Sequence, residues 1–103
     1  MTDVNKVMLS GIISSEVEIK NIDESPIVYF ILSSEFDYKE NGQYKTKRNY
    51  FEIFAYGTKI ARNPNLKKHS PVLVEGQLTR YSYKMDDGKN KKYVVRAINI
   101  CFL

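Results

Sequence analysis

The sequence is poor in the residue types on which most enzymes depend. It has one cysteine, one histidine and no tryptophan among 103 residues. A single cysteine cannot form an intramolecular disulfide, and no His/Cys/Asp group has the spacing of a metal site. There is no glycine-rich phosphate loop, and neither Ser82 nor the Ser33-Ser34 pair has an evident base partner. We therefore expect no catalytic residues, no metal and no cofactor.

Long apolar runs and targeting signals are also missing. No stretch of about 18 apolar residues could cross a membrane, and residues 1–6 lack the pattern of a secretory signal. Cys101 lies in an apolar segment, where we expect a structural thiol and not a nucleophile. These features favour a protein of the reducing cytoplasm.

Charge is distributed unevenly along what we expect to be one domain, residues 1–103, with a modest core. Residues 1–36 carry two cations and six anions, whereas residues 37–103 carry 14 cations and six anions. The basic part also holds most of the eight tyrosines. A basic stripe is the electrostatic footprint of a polyanion-binding surface, although it is also compatible with an ordinary solvated face.

Alternating apolar residues predict five strands and one short helix. Asn41-Gly42 and Asp86-Asp87-Gly88 are typical of hairpin tips, and Gly11 would permit a bend in the first strand. The predicted strands are Val7–Ile19, Ile27–Leu32, Tyr50–Tyr56, Val72–Tyr83 and Tyr93–Leu103. The core is predicted to include Phe51, Ile53, Ala55, Val72, Val74 and Leu78. The order β-β-β-α-β-β predicts an all-β fold, a five-stranded Greek-key OB-fold barrel with the helix between strands 3 and 4.

The helix is expected between Gly57 and His69. Thr58 is its predicted N-cap and Pro64 interrupts it. Ile60, Ala61 and Leu66 should face inward. His69 falls where a helix end requires a residue with positive φ, so we assign it a structural role.

Three segments give the sequence a family resemblance over nearly its whole length. Asn5 to Gly11 is similar to a first-strand motif, Ile53 to Gly57 to a third strand that leads into a helix, and Leu66 to Leu78 to a fourth strand. In this order and spacing they resemble the bacterial single-stranded DNA-binding protein family. The resemblance implies ligand-stacking aromatics, often tryptophan in the family, at Tyr38, Tyr50, Tyr56 and Tyr83.

Alternation supports the same assignment, because Tyr50, Glu52, Phe54 and Tyr56 share one face of their strand. A tyrosine ring stacks on any base. The other tyrosines are interpreted as packing residues, with Tyr93 intermediate. Cations near the two hairpin tips and within the strands are expected to bind phosphate: Lys39, Lys45, Lys47, Arg48, Arg80, Lys84, Lys89, Lys91, Lys92 and Arg96. Lys67 and Lys68 are interpreted as complementing the helix dipole.

We therefore expect a non-enzymatic, sequence-independent single-stranded DNA-binding protein of replication, recombination or repair, associated with the nucleoid. A homo-oligomer is implied, a tetramer if the chain is a true family member. Full-length bacterial members continue into an acidic tail, so the chain is either a trimmed domain or a tail-less relative similar to the dimeric primosomal replication protein N. An OB interaction module for replication or primosome proteins with weak DNA binding, and an RNA-binding barrel, stay open. Glu52 on the stacking face either pairs with a cation or is bypassed by the ligand.

Overall fold

The computed structural model describes residues 3–22, 25–81 and 92–103, and most of them are in strands. Branched and aromatic residues dominate these segments, which is the composition that a pleated, half-buried surface favours. The elements are β1 (Val7–Ile13), β2 (Glu18–Ile22), β3 (Ser25–Glu40), β4 (Gln43–Tyr56), α1 (Thr58–Ala61), β5 (Pro71–Tyr81) and β6 (Lys92–Phe102).

The strands close into a barrel. Their hydrogen-bonded order is β1-β5-β6-β4-β3-β2, and Ile12 and Ile13 of β1 also pair with Ser33 and Leu32 of β3. All these pairings are antiparallel except β4 with β6. Residues 14–17 separate β1 from β2, so the two strands are the halves of the bent first strand that the sequence predicts. The five-stranded OB barrel with one short helix between strands 3 and 4 is confirmed.

The core is formed by the inward-facing residues of every strand in the barrel. Ile13, Phe30, Ile53 and Val74 are fully buried within it, and Phe51 packs against it while half-buried. Two sequence expectations need correction. Leu78 is substantially exposed, and Cys101 lies in β6 but is exposed. The strand register explains why the Cys101 thiol is exposed, because Cys101 pairs with Leu73 on the face of the sheet that points away from the core.

Two glycines are required by close backbone contacts. A Cβ on Gly11 would lie 2.0 Å from the Ser33 carbonyl oxygen, where β1 closes onto β3. A Cβ on Gly76 would lie 2.0 Å from the Arg96 carbonyl oxygen, beside a bulge in the β5–β6 pairing. Gly11 thus serves barrel closure, and the bend that the sequence analysis assigned to it comes later, at residues 14–17.

The helix is shorter than its sequence predicts. It spans four residues, its N-cap is Gly57, and Thr58 is its first residue and not the N-cap. Ile60, Ala61 and Leu66 pack against the core as expected. His69 has a φ of 81°, and its backbone N–H donates to the Ile13 carbonyl at 2.7 Å. The structural interpretation of this histidine is confirmed.

β3 and β4 form one long hairpin that extends beyond the barrel. Fourteen residue pairs form its ladder. Both strands continue past the core, and every residue from 35 to 48 is exposed. Asn41 and Gly42 have positive φ at the tip, as the Asn-Gly signal predicts. The predicted strand limits at Leu32 and Tyr50 were wrong, because cross-strand pairing continues through this polar segment.

Candidate nucleic-acid interface

The outer face of β4 presents two exposed tyrosines in one row. Tyr50 and Tyr56 are 62% and 45% exposed, and they alternate with the core residues Ile53 and Ala55. They are six positions apart along the strand, which is about 20 Å. Together with Glu52, which lies between them, they form what we name the β4 face: Tyr50, Glu52 and Tyr56.

Phe54 occupies the same row but is not available to a ligand, since it is only 5% exposed. Its ring meets the Tyr56 ring edge-on, with centroids 5.6 Å apart. The Arg96 guanidinium lies 5.6 Å from the Tyr56 centroid. These contacts hold Tyr56 in a defined orientation and place a cation beside an exposed aromatic ring. A rigid ring next to a cation is suited to stack a base and neutralise the adjoining phosphate.

Glu52 has specific partners on both neighbouring strands. Its Oε1 accepts a hydrogen bond from the Tyr29 hydroxyl at 2.5 Å and from Lys92 Nζ at 2.8 Å. Partial burial raises the pKa of this carboxyl, but the bonds from Lys92 and Tyr29 outweigh burial and the net pKa is lowered. Of the two sequence alternatives, pairing with a cation is the one observed.

The projecting part of the hairpin carries more cations on the same side as Tyr50. Arg48 Nε donates to Glu35 at 2.8 Å, and hydrogen bonding to Glu35 and then to Tyr50 raises the pKa of Arg48. Nearer the tip, Lys39 Nζ lies 5.6 Å from the Tyr44 ring centroid. Because Arg48 and Glu35 are both solvent-exposed, their ion pair is weak and a phosphate can replace the carboxylate.

Tyr38 lies on the opposite side of the hairpin from Tyr50. It continues the inward-facing row of β3, and its ring is 6.1 Å from that of Phe36 on the same side. Cross-strand register pairs Phe36 with Lys47 and Tyr38 with Lys45. We name this group the hairpin patch: Phe36, Tyr38, Lys45 and Lys47. The structure therefore divides the predicted site residues of the hairpin between two faces.

Arg80 and Tyr93 pair across β5 and β6, where the two strands leave the barrel. The Arg80 guanidinium lies 5.7 Å from the Tyr93 ring centroid, and Tyr93 is well exposed. Four predicted site residues lie outside the described residues: Tyr83, Lys84, Lys89 and Lys91.

Sequence reasoning overlooked three features of this surface. Phe36 was assigned no role, although alternation continued beyond Leu32 would have placed it beside Tyr38. The Tyr29 hydroxyl and Lys92 were not connected to Glu52, because this contact joins residues far apart in sequence. For Tyr93, the only sequence feature that suggested ligand binding was the cluster of lysines beside it. No group of His, Cys, Asp or Glu suited to a metal ion occurs in the three described segments, and none of their helices is long and apolar enough to span a membrane.

Solved structures similar to this chain share its fold. A Plasmodium falciparum SSB, solved in complex with ssDNA, superimposes with a TM-score of 0.86 at 22% identity, covering all of this chain and 97% of that one. A small single-stranded DNA-binding protein from Streptomyces coelicolor gives 0.77 at 18% identity, covering all of this chain and 95% of that one. A deletion mutant of the single-stranded DNA binding protein from Thermus aquaticus gives 0.83 at 22% identity, and there this chain matches 50% of the longer protein.

Sequence comparisons identify the family. Single-stranded DNA-binding protein 2 of Chlorobaculum tepidum is 28% identical over 109 residues, which cover all of this chain and 73% of that protein. The model of the single-strand binding protein family matches residues 4–103. A chain matched over nearly its whole length, with the OB barrel described above, belongs to the single-strand binding protein family.

Proposed function

We propose that this chain binds single-stranded DNA without catalysing a reaction, in a sequence-tolerant manner, by stacking bases on tyrosines and contacting phosphates with lysines and arginines. The observation that carries the proposal is the β4 face, where Tyr50 and Tyr56 are exposed beside Arg48 and Arg96. Membership of a non-enzymatic DNA-binding family supports it, as do its single-stranded DNA-binding relatives.

In this mechanism the bases stack on Tyr50 and Tyr56, each contributing on the order of 1–3 kcal/mol. Arg48 and Arg96 neutralise the adjoining phosphates. The DNA strand then follows the hairpin. Tyr38, Lys45 and Lys47 of the hairpin patch contact it on the side opposite Tyr50, and Lys39 contacts it near the tip. Arg80 on β5 and Lys92 on β6 belong to the same proposed set. From the sequence we also include Tyr83, Lys84, Lys89 and Lys91.

The biological setting and assembly belong to the same proposal. We propose a role in replication, recombination or repair, in the cytoplasm and associated with nucleoid DNA. We also propose a homo-oligomer, with a tetramer favoured over a dimer. Exposed Met8 and Ile12 on β1 and Ile98 on β6 support this assembly, since apolar side chains on an open sheet face favour association.

The second candidate is an interaction module for replication or primosome proteins with only weak DNA binding. Two features of the sequence suggest it, namely the absence of an acidic tail in this sequence and the carboxylate of Glu52 on the proposed DNA face. Glu52 is held by Lys92 and Tyr29, so its charge is partly compensated and the DNA-binding function is favoured.

Fluorescence anisotropy with labelled oligo-dT at a series of salt concentrations tests the proposal. Binding should weaken steeply as salt rises, because each neutralised phosphate releases counterions. An unlabelled duplex of equal length should compete poorly, since its bases are not free to stack. No binding at low salt, or equal competition by the duplex, would overturn the proposed function.

A further inference from the structure

Glu52 lies in the middle of the surface that is proposed to bind a polyanion. It is two residues from Tyr50 on the same face of β4, a separation of about 7 Å. Its side chain is 24% exposed, so a ligand stacked on Tyr50 can reach it. An acidic group at this position requires an explanation other than phosphate binding.

Both hydrogen bonds of the Glu52 carboxylate go to the same oxygen. Tyr29 and Lys92 both donate to Oε1. Within residues 3–22, 25–81 and 92–103, no hydrogen-bond donor is recorded at Oε2. The shared anchor on Oε1 fixes the orientation of the carboxylate, and Oε2 remains an acceptor at the β4 face.

An ionised carboxylate accepts hydrogen bonds and cannot donate them. A glutamate carboxyl is ionised at neutral pH, and the contacts of Glu52 lower its pKa further. A phosphate oxygen would be repelled from Oε2, so the edges of bases are the parts of the strand that can face it. Bases differ there, because cytosine carries an N4 amino donor where uracil and thymine carry the O4 acceptor.

We propose that Glu52 makes binding selective among bases, with Oε2 accepting a hydrogen bond from an exocyclic amino group and disfavouring the O4 carbonyl of thymine or uracil. Stacking on Tyr50 and Tyr56 tolerates every base, and Glu52 adds a preference for amino-bearing bases at the intervening position. Tyr29 and Lys92 act as positioning residues for this acceptor. The inference rests on the proposed single-stranded DNA binding.

Oligo-dC and oligo-dU of equal length are the probes that isolate this contact. Their rings have the same size, and neither carries the thymine methyl group. Affinities are measured by anisotropy at one salt concentration for the wild type, Glu52→Gln and Glu75→Gln. Glu75 is a control of equal charge, because it lies on β5 and pairs with Lys6 at 3.5 Å, away from the β4 face.

The readout is the ratio of the oligo-dC to the oligo-dU dissociation constant within each protein. Loss of a negative charge strengthens binding to both oligomers alike and leaves the ratio unchanged. Loss of one base-specific hydrogen bond shifts the ratio about five-fold toward oligo-dU. We expect this shift in Glu52→Gln and none in Glu75→Gln.

A Glu52→Gln variant that binds both oligomers with the wild-type ratio overturns the inference and leaves the proposed function intact. The same conclusion follows if Glu75→Gln shifts the ratio equally. If the wild type binds neither oligomer, the proposed function fails and the inference fails with it. Far-UV circular dichroism of each variant confirms that its barrel is folded.

Discussion

At the scale of single residues, the central feature is a carboxylate stabilised in its charged form on a surface rich in cations and aromatics. Burial alone would favour the neutral acid, and the bonds from Lys92 and Tyr29 reverse that preference. We propose that Lys92 has two roles. It anchors Glu52 in the free protein and contributes positive charge near the phosphates of a bound strand.

The ionisation of Glu52 gives a pH prediction. Its pKa is lower in the folded chain than in the unfolded one, so Glu52 contributes stability above its unfolded pKa and loses it as pH falls through the folded pKa. A carboxyl NMR titration should show Glu52 ionising below the ordinary value of about 4.3. In Lys92→Met the pKa of Glu52 should rise, because only the hydrogen bond from Tyr29 then opposes the effect of burial. An unchanged value in Lys92→Met, or a shift of equal size in the distant Lys67→Met, would contradict the assignment.

At the scale of elements, the β3–β4 hairpin connects the barrel to the proposed ligand path. It projects from the barrel with aromatic and basic residues on both sides, the Tyr50 side and the hairpin patch. A single DNA strand can contact both sides of the hairpin only if it crosses one of the hairpin's edges. The two sides should therefore contribute separately to affinity and to its salt dependence.

The hairpin patch is tested with Lys45→Gln/Lys47→Gln. Removing two phosphate contacts should reduce the slope of log K against log salt by about 1.4, since each contact on single strands contributes about 0.7. The control is Lys67→Gln/Lys68→Gln, which removes the same charge beyond the helix and should leave the slope unchanged. Equal slopes in all three proteins would exclude the hairpin patch from the binding surface.

The sequence predicts which strands and helices are present better than it predicts the residues at which they begin and end. Alternation of apolar residues and the Asn41-Gly42 signal are local, so the strands, the hairpin tip and the buried face of β4 could be predicted. Alternation placed Phe54 on the ligand-facing row, which was wrong, because Phe54 is buried beside the Tyr56 ring at the position where β4 pairs with Arg96 of β6. The Glu52 contacts depend on register between three strands, and the helix stops after four residues where its pattern suggested more.

At the scale of the whole molecule, one barrel presents two distinct outer surfaces. The β4 face and hairpin carry tyrosines and cations, while Met8, Ile12 and Ile98 expose apolar side chains on β1 and β6. This division suits a protein in which one surface binds the ligand and another joins copies of the chain. We propose that these exposed apolar residues mediate self-association.

Native mass spectrometry with and without oligo-dT measures that assembly. We expect four copies of the 12.0 kDa chain in both conditions. Replacing Met8 and Ile12 by serine should lower the copy number, whereas Tyr44→Ser at the hairpin tip should leave it unchanged. A stable dimer would favour the resemblance to the primosomal protein, and a monomer in both conditions would contradict the proposed assembly.

The most direct test of base stacking on the β4 face is the affinity of labelled oligo-dT for Tyr50→Ala/Tyr56→Ala and for Tyr50→Phe/Tyr56→Phe, measured at one salt concentration beside the wild type. Loss of two stacking rings should raise Kd at least about 30-fold, because each ring contributes on the order of 1 kcal/mol or more. The phenylalanine variant keeps both rings and should bind within about three-fold of the wild type. A folded alanine variant that binds oligo-dT as tightly as the wild type would contradict the account.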